Sequence, residues 1–174
     1  LSDGARAVIG FGANVGERLA SLASALERLA ATPDVTCLAT SRVYETAPVG
    51  PPQPDFLNAA ALVRTSLSPR ALLTRLLAIE AELGRVRRER WGPRVIDLDL
   101  LWYEGVVVDE RDLTVPHPRL CERAFALAPL LDVVTDAADP RSGRPYEAPS
   151  ATRLSDEGVR ATTLRFARAA PPAP

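Results

Sequence analysis

Between Val95 and Tyr103 aliphatic and acidic residues alternate as Ile96-Asp97-Leu98-Asp99-Leu100, and this pattern constrains the fold more than any other segment. Successive side chains on a strand point to opposite faces, so the aliphatics enter a core while Asp97 and Asp99 project together from the other side, about 7 Å apart at Cα. A strand of this kind fits a sheet that is covered by helices on one face and open on the other.

Two covering helices are legible as leucine stripes. Leu19, Leu22, Leu26 and Leu29 follow Asn14 and Glu17, which read as a cap, and the helix ends near Thr32-Pro33. Leu72, Leu73, Leu76, Ile79 and Leu83 follow Ser68-Pro69, a capping serine with proline at the first helical position, and Gly84 closes the helix. Arg6–Phe11, Val35–Tyr44 and Phe56–Thr65 read as strands, and Val106–Val108 as the return of a hairpin after Glu104-Gly105. A short helix is expected within 118–128 and a weak strand near Thr162–Phe166. Residues 47–54, with four prolines, make a semi-rigid loop. The expected architecture is α+β: a βαββαβ order with an additional β-hairpin, a mostly antiparallel sheet, and helices on one face. Residues 1–168 are expected to form a single domain, and 169–174 a flexible Pro/Ala tail.

Absences narrow the chemistry. The chain has no lysine, which excludes a Walker A loop and Schiff-base catalysis, and a single histidine, His117, which excludes a three-histidine zinc centre. A net charge of -1 supplies no global attraction for nucleic acid. Cys37 and Cys121 are expected to be free thiols, and no segment reads as a leader or a membrane span, so a cytoplasmic protein is expected.

Two like charges side by side on a strand repel, unless something positive lies between them. Magnesium suits the pair, because it takes one or two carboxylates and completes its shell with phosphate and water. The alternative is a pair of acids that simply meet water. Upstream, 84–94 holds five arginines, Arg85, Arg87, Arg88, Arg90 and Arg94, around the aromatic Trp91. Guanidinium forks match phosphate oxygens, so this loop could clamp a polyphosphate; an ordinary solvated loop is the rival reading. Phe56 and Phe125 are either core residues or stacking partners for a flat heterocycle, whose edge Asn58 could read. Glu80 could hold the neighbouring arginines in place, and His117, fixed between prolines, is either structural or a phosphate contact with Arg123 nearby. A non-catalytic sheet domain that binds RNA remains the rival from another class.

Gly12-Ala13-Asn14, Pro48-Val49-Gly50-Pro51, Gln53-Pro54-Asp55-Phe56-Leu57-Asn58, Glu80, Gly84-Arg85-Val86-Arg87, Arg90-Trp91-Gly92-Pro93-Arg94, Asp97-Leu98-Asp99 and Thr114-Val115-Pro116-His117 together resemble the pterin pyrophosphokinases of folate biosynthesis. The resemblance runs from about Val8 to about Leu131. It implies a ferredoxin-like fold and transfer of the β,γ-pyrophosphate of ATP to the hydroxymethyl oxygen of 6-hydroxymethyl-7,8-dihydropterin, with release of AMP. It implies two Mg2+ ions on Asp97 and Asp99, with Arg85 and Arg94 as catalytic partners. Pro48, Val49, Gly50, Phe56, Asn58 and Phe125 match pterin contacts, and Trp91 a lid over them. Glu80, Arg87, Arg88, Leu100, Thr114, His117 and Arg123 match positions near ATP. A monomer is expected, with fusion to another folate enzyme in relatives.

Overall fold

A computed structural model describes residues 4–86 and 92–165. The elements are β1 (Ala5–Ala13), α1 (Arg18–Ala30), β2 (Val35–Thr40), β3 (Arg42–Thr46), β4 (Phe56–Thr65), α2 (Pro69–Glu82), β5 (Asp97–Tyr103), β6 (Val108–Glu110), β7 (Leu113–Val115), α3 (Ala124–Val133), α4 (Ala151–Asp156) and β8 (Val159–Arg165). The result is a mixed α/β fold whose strand pairs are all antiparallel, with four helices among the described residues. One sheet runs β5-β1-β4-β3-β8, with β2 also paired to β4, and β6-β7 forms a separate ribbon.

Period-two patterning builds two cores. Ala7, Ile9, Phe11 and Ala13 of β1, with Leu57, Ala59, Ala61 and Val63 of β4 and Leu98 and Leu100 of β5, face Leu22, Leu26 and Leu29 of α1 and Leu72, Leu76 and Ile79 of α2. On the reverse face Val8, Ala60, Leu62, Leu101 and Trp102 pack against Leu127 and Leu130 of α3. Helices therefore lie on both faces. The expectation of one covered face holds for α1 and α2 and fails for α3, whose sequence, Ala-Phe-Ala-Leu-Ala-Pro-Leu-Leu, is too apolar to stay in solvent. Half of the reverse face stays open, the half that carries the acids.

Three further expectations change. Val35–Tyr44 is two strands, broken at Ser41, whose hydroxyl accepts the Ala60 N–H at 2.8 Å and so replaces a ladder bond. The hairpin after β5 is β6 with β7, not β5 with Val106–Val108, because Val108 pairs with Val115. Helix α1 begins at Arg18, after Glu17, which makes no side-chain cap bond; Asn14 is no cap but a cross-link described below. The second helix is as read: Ser68 Oγ accepts the Ala71 N–H, and Gly84 takes the left-handed backbone that ends it.

Candidate active site

The open half of the reverse face is the floor of a cavity of about 1030 Å³. Its floor is bare because β1 places glycine there twice. Gly10 lies between Ala60 and Asp99, and Gly12 between Asn58 and Asp97. A Cβ at Gly12 would stand 3.1 Å from Asn58 Oδ1 and 3.9 Å from Phe56 Cδ1, so the missing side chain makes room beside both. Alternate glycines in an apolar strand are the sequence signal that marks this floor.

Phe56, Asn58, Pro48, Val49 and Phe125 line the cavity. Gly50, of positive φ, lies in the same loop but does not line it. Asn58 is buried, and its amide donates to Thr46 Oγ1 at 2.9 Å, which fixes the amide's direction and leaves Oδ1 toward Gly12. Thr46 was not singled out from the sequence, since a threonine at a strand end looks ordinary.

Asp97, Asp99, Arg94, His117 and Arg123 line the same cavity. Both acids project from β5 as the alternation requires, while Leu98 and Leu100 enter the core. Glu80 is buried on α2; its Oε1 accepts the Leu98 N–H at 2.8 Å and pairs with Arg85 Nη1, which reaches on to Asp97 Oδ1 at 2.6 Å. Arg94 Nη1 pairs with Asp97 Oδ2. Arg85 and Glu80 do not line this cavity; they border a second, smaller recess of about 320 Å³. Burial disfavours the charge on Arg85, but Asp97 and Glu80 outweigh it and raise its pKa.

Asp99 differs from Asp97, since no hydrogen bond or ion pair to its carboxylate is found among the described residues. Burial, then the charges of Asp97 and Glu80, push it up to about 7, against the pull of Arg123 and Arg94. His117 is pushed down to about 4 by burial and by Arg123. It is therefore neutral at pH 7, and since Nδ1 accepts the Arg119 N–H at 3.2 Å, the ring proton sits on Nε2. Arg123 lies over the Phe125 ring, 5.6 Å from its centroid.

Asn14 ties the loops together. It is almost fully buried, and its Nδ2 donates to Gln53 Oε1 at 2.9 Å and to the Pro54 carbonyl at 3.0 Å, while its Oδ1 accepts the Arg94 N–H at 2.8 Å. The proline-rich loop and the segment bearing Arg94 thus share one side chain. Leu100 and Thr114 are not brought to the cavity: Leu100 is buried in the opposite core and Thr114 pairs with Asp109. Arg87, Arg88 and Trp91 lie outside the described residues.

The donor set suits a hard divalent cation. Asp97 and Asp99 are the residues that could hold one, and among the described residues no group of three or more metal-ligating side chains is found.

Comparison with known proteins identifies the family. The sequence profile of the 7,8-dihydro-6-hydroxymethylpterin-pyrophosphokinase family (HPPK) matches residues 8–135. A 2-amino-4-hydroxy-6-hydroxymethyldihydropteridine pyrophosphokinase of Methylorubrum extorquens is 51% identical over 132 residues, 75% of this chain and 84% of that one. One of the same name from Synechocystis is 44% identical over 138 residues, 79% of this chain and 71% of that one. Among solved structures, the Plasmodium falciparum HPPK-DHPS matches in fold with a TM-score of 0.63 at 15% identity, over 82% of this chain; the chain spans 43% of that longer protein. No helix among the described residues is long and apolar enough to cross a membrane. On its matched residues and its identity to these relatives, the chain belongs to the 7,8-dihydro-6-hydroxymethylpterin-pyrophosphokinase family.

Proposed function

We propose that this chain transfers a pyrophosphoryl group from ATP to 6-hydroxymethyl-7,8-dihydropterin in folate biosynthesis, in the single cavity whose lining suits those two substrates. The observation that carries the reading is that one cavity is lined both by aromatics and an amide and by acids and arginines. The order β1-α1-β2/β3-β4-α2-β5, with the sheet sequence β5-β1-β4-β2/β3 and both helices on one face, supports a ferredoxin-like description.

In this reading the pterin stacks between Phe56 and Phe125, and the Asn58 amide reads its edge with help from the backbone of Pro48 to Gly50. Both aromatics line the cavity, and Thr46 holds Asn58 in one orientation. The substrate hydroxyl oxygen bonds to the β-phosphorus, the bond from that phosphorus to the α,β-bridging oxygen breaks, and AMP departs with the bridging oxygen. The alcohol proton passes to water or to a phosphate oxygen. Such transfer needs positioning and charge neutralisation more than covalent help.

Asp97 and Asp99 would hold magnesium, which supplies positive charge against the β- and γ-phosphates. Arg85 and Arg94, now sharing Asp97, are the guanidinium groups that can turn to phosphate oxygens once that carboxylate has another cation. Neutral His117 can donate from Nε2 to a phosphate oxygen, and Arg123 adds a second cation on the same side. Among residues outside the described ones, Trp91 is proposed as a lid and Arg87 and Arg88 as phosphate contacts, by resemblance alone.

The test is product analysis with purified protein, MgATP and the reduced pterin. AMP appearing only when the pterin is present, and stopping when the divalent cation is chelated, is the expected result. Pyrophosphate release, or no AMP at all, sinks the reading.

A further inference from the structure

The family match ends at residue 135, yet Ser155 to Gly158, well beyond it, line the cavity. Ser155 and Asp156 end α4, and Glu157 and Gly158 form the turn to β8, which touches both walls of the site. The Gly158 carbonyl accepts the Ala47 N–H at 3.2 Å, where the proline-rich loop begins. Glu157 Oε2 accepts the Ala124 N–H at 2.8 Å, in the first turn of α3. Arg153, four residues earlier, donates from Nε to Glu157 Oε1 at 2.7 Å and from Nη2 to the Cys121 carbonyl at 2.7 Å, so α4 grips the chain on either side of Arg123.

The start of α3 needs that grip. Its N-cap residue is Arg123, which makes no side-chain cap bond. A guanidinium cannot accept a hydrogen bond, and a cation at a helix N-terminus opposes the positive end of the helix dipole. Ser, Thr, Asp or Asn would serve the helix better, but none would reach the cavity as a cation beside Phe125. The missing acceptor and the missing negative charge both come from Glu157, 33 residues further along.

We propose that Glu157 is a positioning residue that caps α3 from outside the helix, and thereby lets the N-cap position carry an arginine directed into the site and sets Arg123 and Phe125 for the phosphates and the pterin. This deepens the functional reading above and rests on it. The capping carboxylate lies outside the residues matched to the family, so the turn that completes this site is supplied by the C-terminal part of the chain.

The experiment uses the full chain with Glu157→Ala, Glu157→Gln and Glu157→Asp, and Glu157→Ala again on an Arg123→Ala/Phe125→Ala background. Dissociation constants are measured for 6-hydroxymethylpterin and for α,β-methylene-ATP, with kcat, KM and thermal unfolding alongside. Loss of one cap bond predicts about tenfold weaker ligand binding in Glu157→Ala. Glu157→Gln, which still offers an oxygen to the Ala124 N–H but loses the charge and the bond from Arg153, recovers part of it, and Glu157→Asp, too short to reach the Ala124 N–H, does not. On the double background Glu157→Ala adds less than about twofold, because the residues it acts through are gone. Wild-type affinities in Glu157→Ala or Glu157→Asp overturn the proposal, and so does an effect that multiplies undiminished on the double background. Should Glu157→Ala fail to fold, the Gln and Asp variants decide. AMP formation by the unaltered chain tests the functional reading separately: its absence defeats that reading, whereas variants that match an active parent defeat only the positioning role.

Discussion

Asn14 and Arg94 are joined twice across the chain: Asn14 Oδ1 accepts the Arg94 N–H at 2.8 Å, and the Asn14 N–H donates to the Arg94 carbonyl at 3.1 Å. The side-chain half of this link is removable. Asn14→Ala leaves the Arg94 N–H and the Pro54 carbonyl without their buried partner, a loss of about 1–3 kcal/mol in stability. Displacement of Arg94 is expected to lower kcat by about 100-fold. Asn14→Asp keeps the acceptor for Arg94 but loses the donor to Gln53 and Pro54. It should raise KM for the pterin while sparing kcat; steady-state kinetics of both variants check the division.

Gly12→Ala tests the bare floor. Gly12 has no positive φ, so alanine brings no backbone strain there, only a Cβ 3.1 Å from Asn58 Oδ1. The amide must turn or shift. Crowding of about 1–2 kcal/mol at that point predicts roughly tenfold weaker pterin binding. Affinity for the ATP analogue should be unchanged, as measured by titration calorimetry.

Glu80 acts as a buried counter-ion. Removing it by Glu80→Ala leaves the Leu98 N–H without its acceptor and Arg85 with one carboxylate instead of two. Breaking a buried pair of this kind is expected to cost about 3 kcal/mol, visible as a lowered urea midpoint at unchanged slope.

Asp97→Ala sets Arg85 and Arg94 beside each other without the carboxylate they share. Turnover should fall by about a thousandfold or more while circular dichroism stays that of the parent. Near-normal turnover would remove Asp97 from the reaction.

Two groups give the unliganded protein opposing pH dependences. Folding lowers His117 from 6.5 to about 4, so between those values the unfolded chain binds more protons and stability rises with pH. Folding raises Asp99 from 3.8 to about 7, so across that window the folded chain binds more protons and stability falls with pH. Between pH 4 and 6.5 the two contributions nearly cancel, so His117→Gln should expose a fall in stability with rising pH and Asp99→Asn a rise. Urea denaturation at half-unit pH steps reads both slopes, and identical slopes in parent and variants would refute the assignment.

Legibility in the sequence follows the range of the interactions. Phe56–Thr65 and the Ser68-Pro69 to Gly84 helix obey local periodicity and punctuation, and the structure reproduces both. The two acids of β5 share a face because alternation demands it. Asn14 reads as a local cap because an asparagine before a leucine stripe does so in most chains; its partners lie 39, 40 and 80 residues away, and nothing nearby announces them. The same holds for Glu157, whose neighbours in sequence are ordinary turn residues. Helix α3 is legible as apolar, yet the face that it covers depends on the strands it meets.

Strand β5 holds one residue more than its neighbour: Trp102 stands opposite Val8 and Leu100 opposite Ile9, with Leu101 between them unmatched. Leu101 and Trp102 consequently point the same way, and both pack with α3. The extra residue works like a frameshift in the pleat. Upstream of it the inward phase belongs to Leu98 and Leu100 and leaves the acids outward; downstream the phase is reset, so an indole occupies the outward side and Tyr103 returns to the inner one. Straightening this irregularity with Leu101 kept would carry strict alternation past Leu100 and drive the indole into the layer beneath α1 and α2, so a seven-residue segment is a chemical edge at one end and a helix anchor at the other because the pleat slips there.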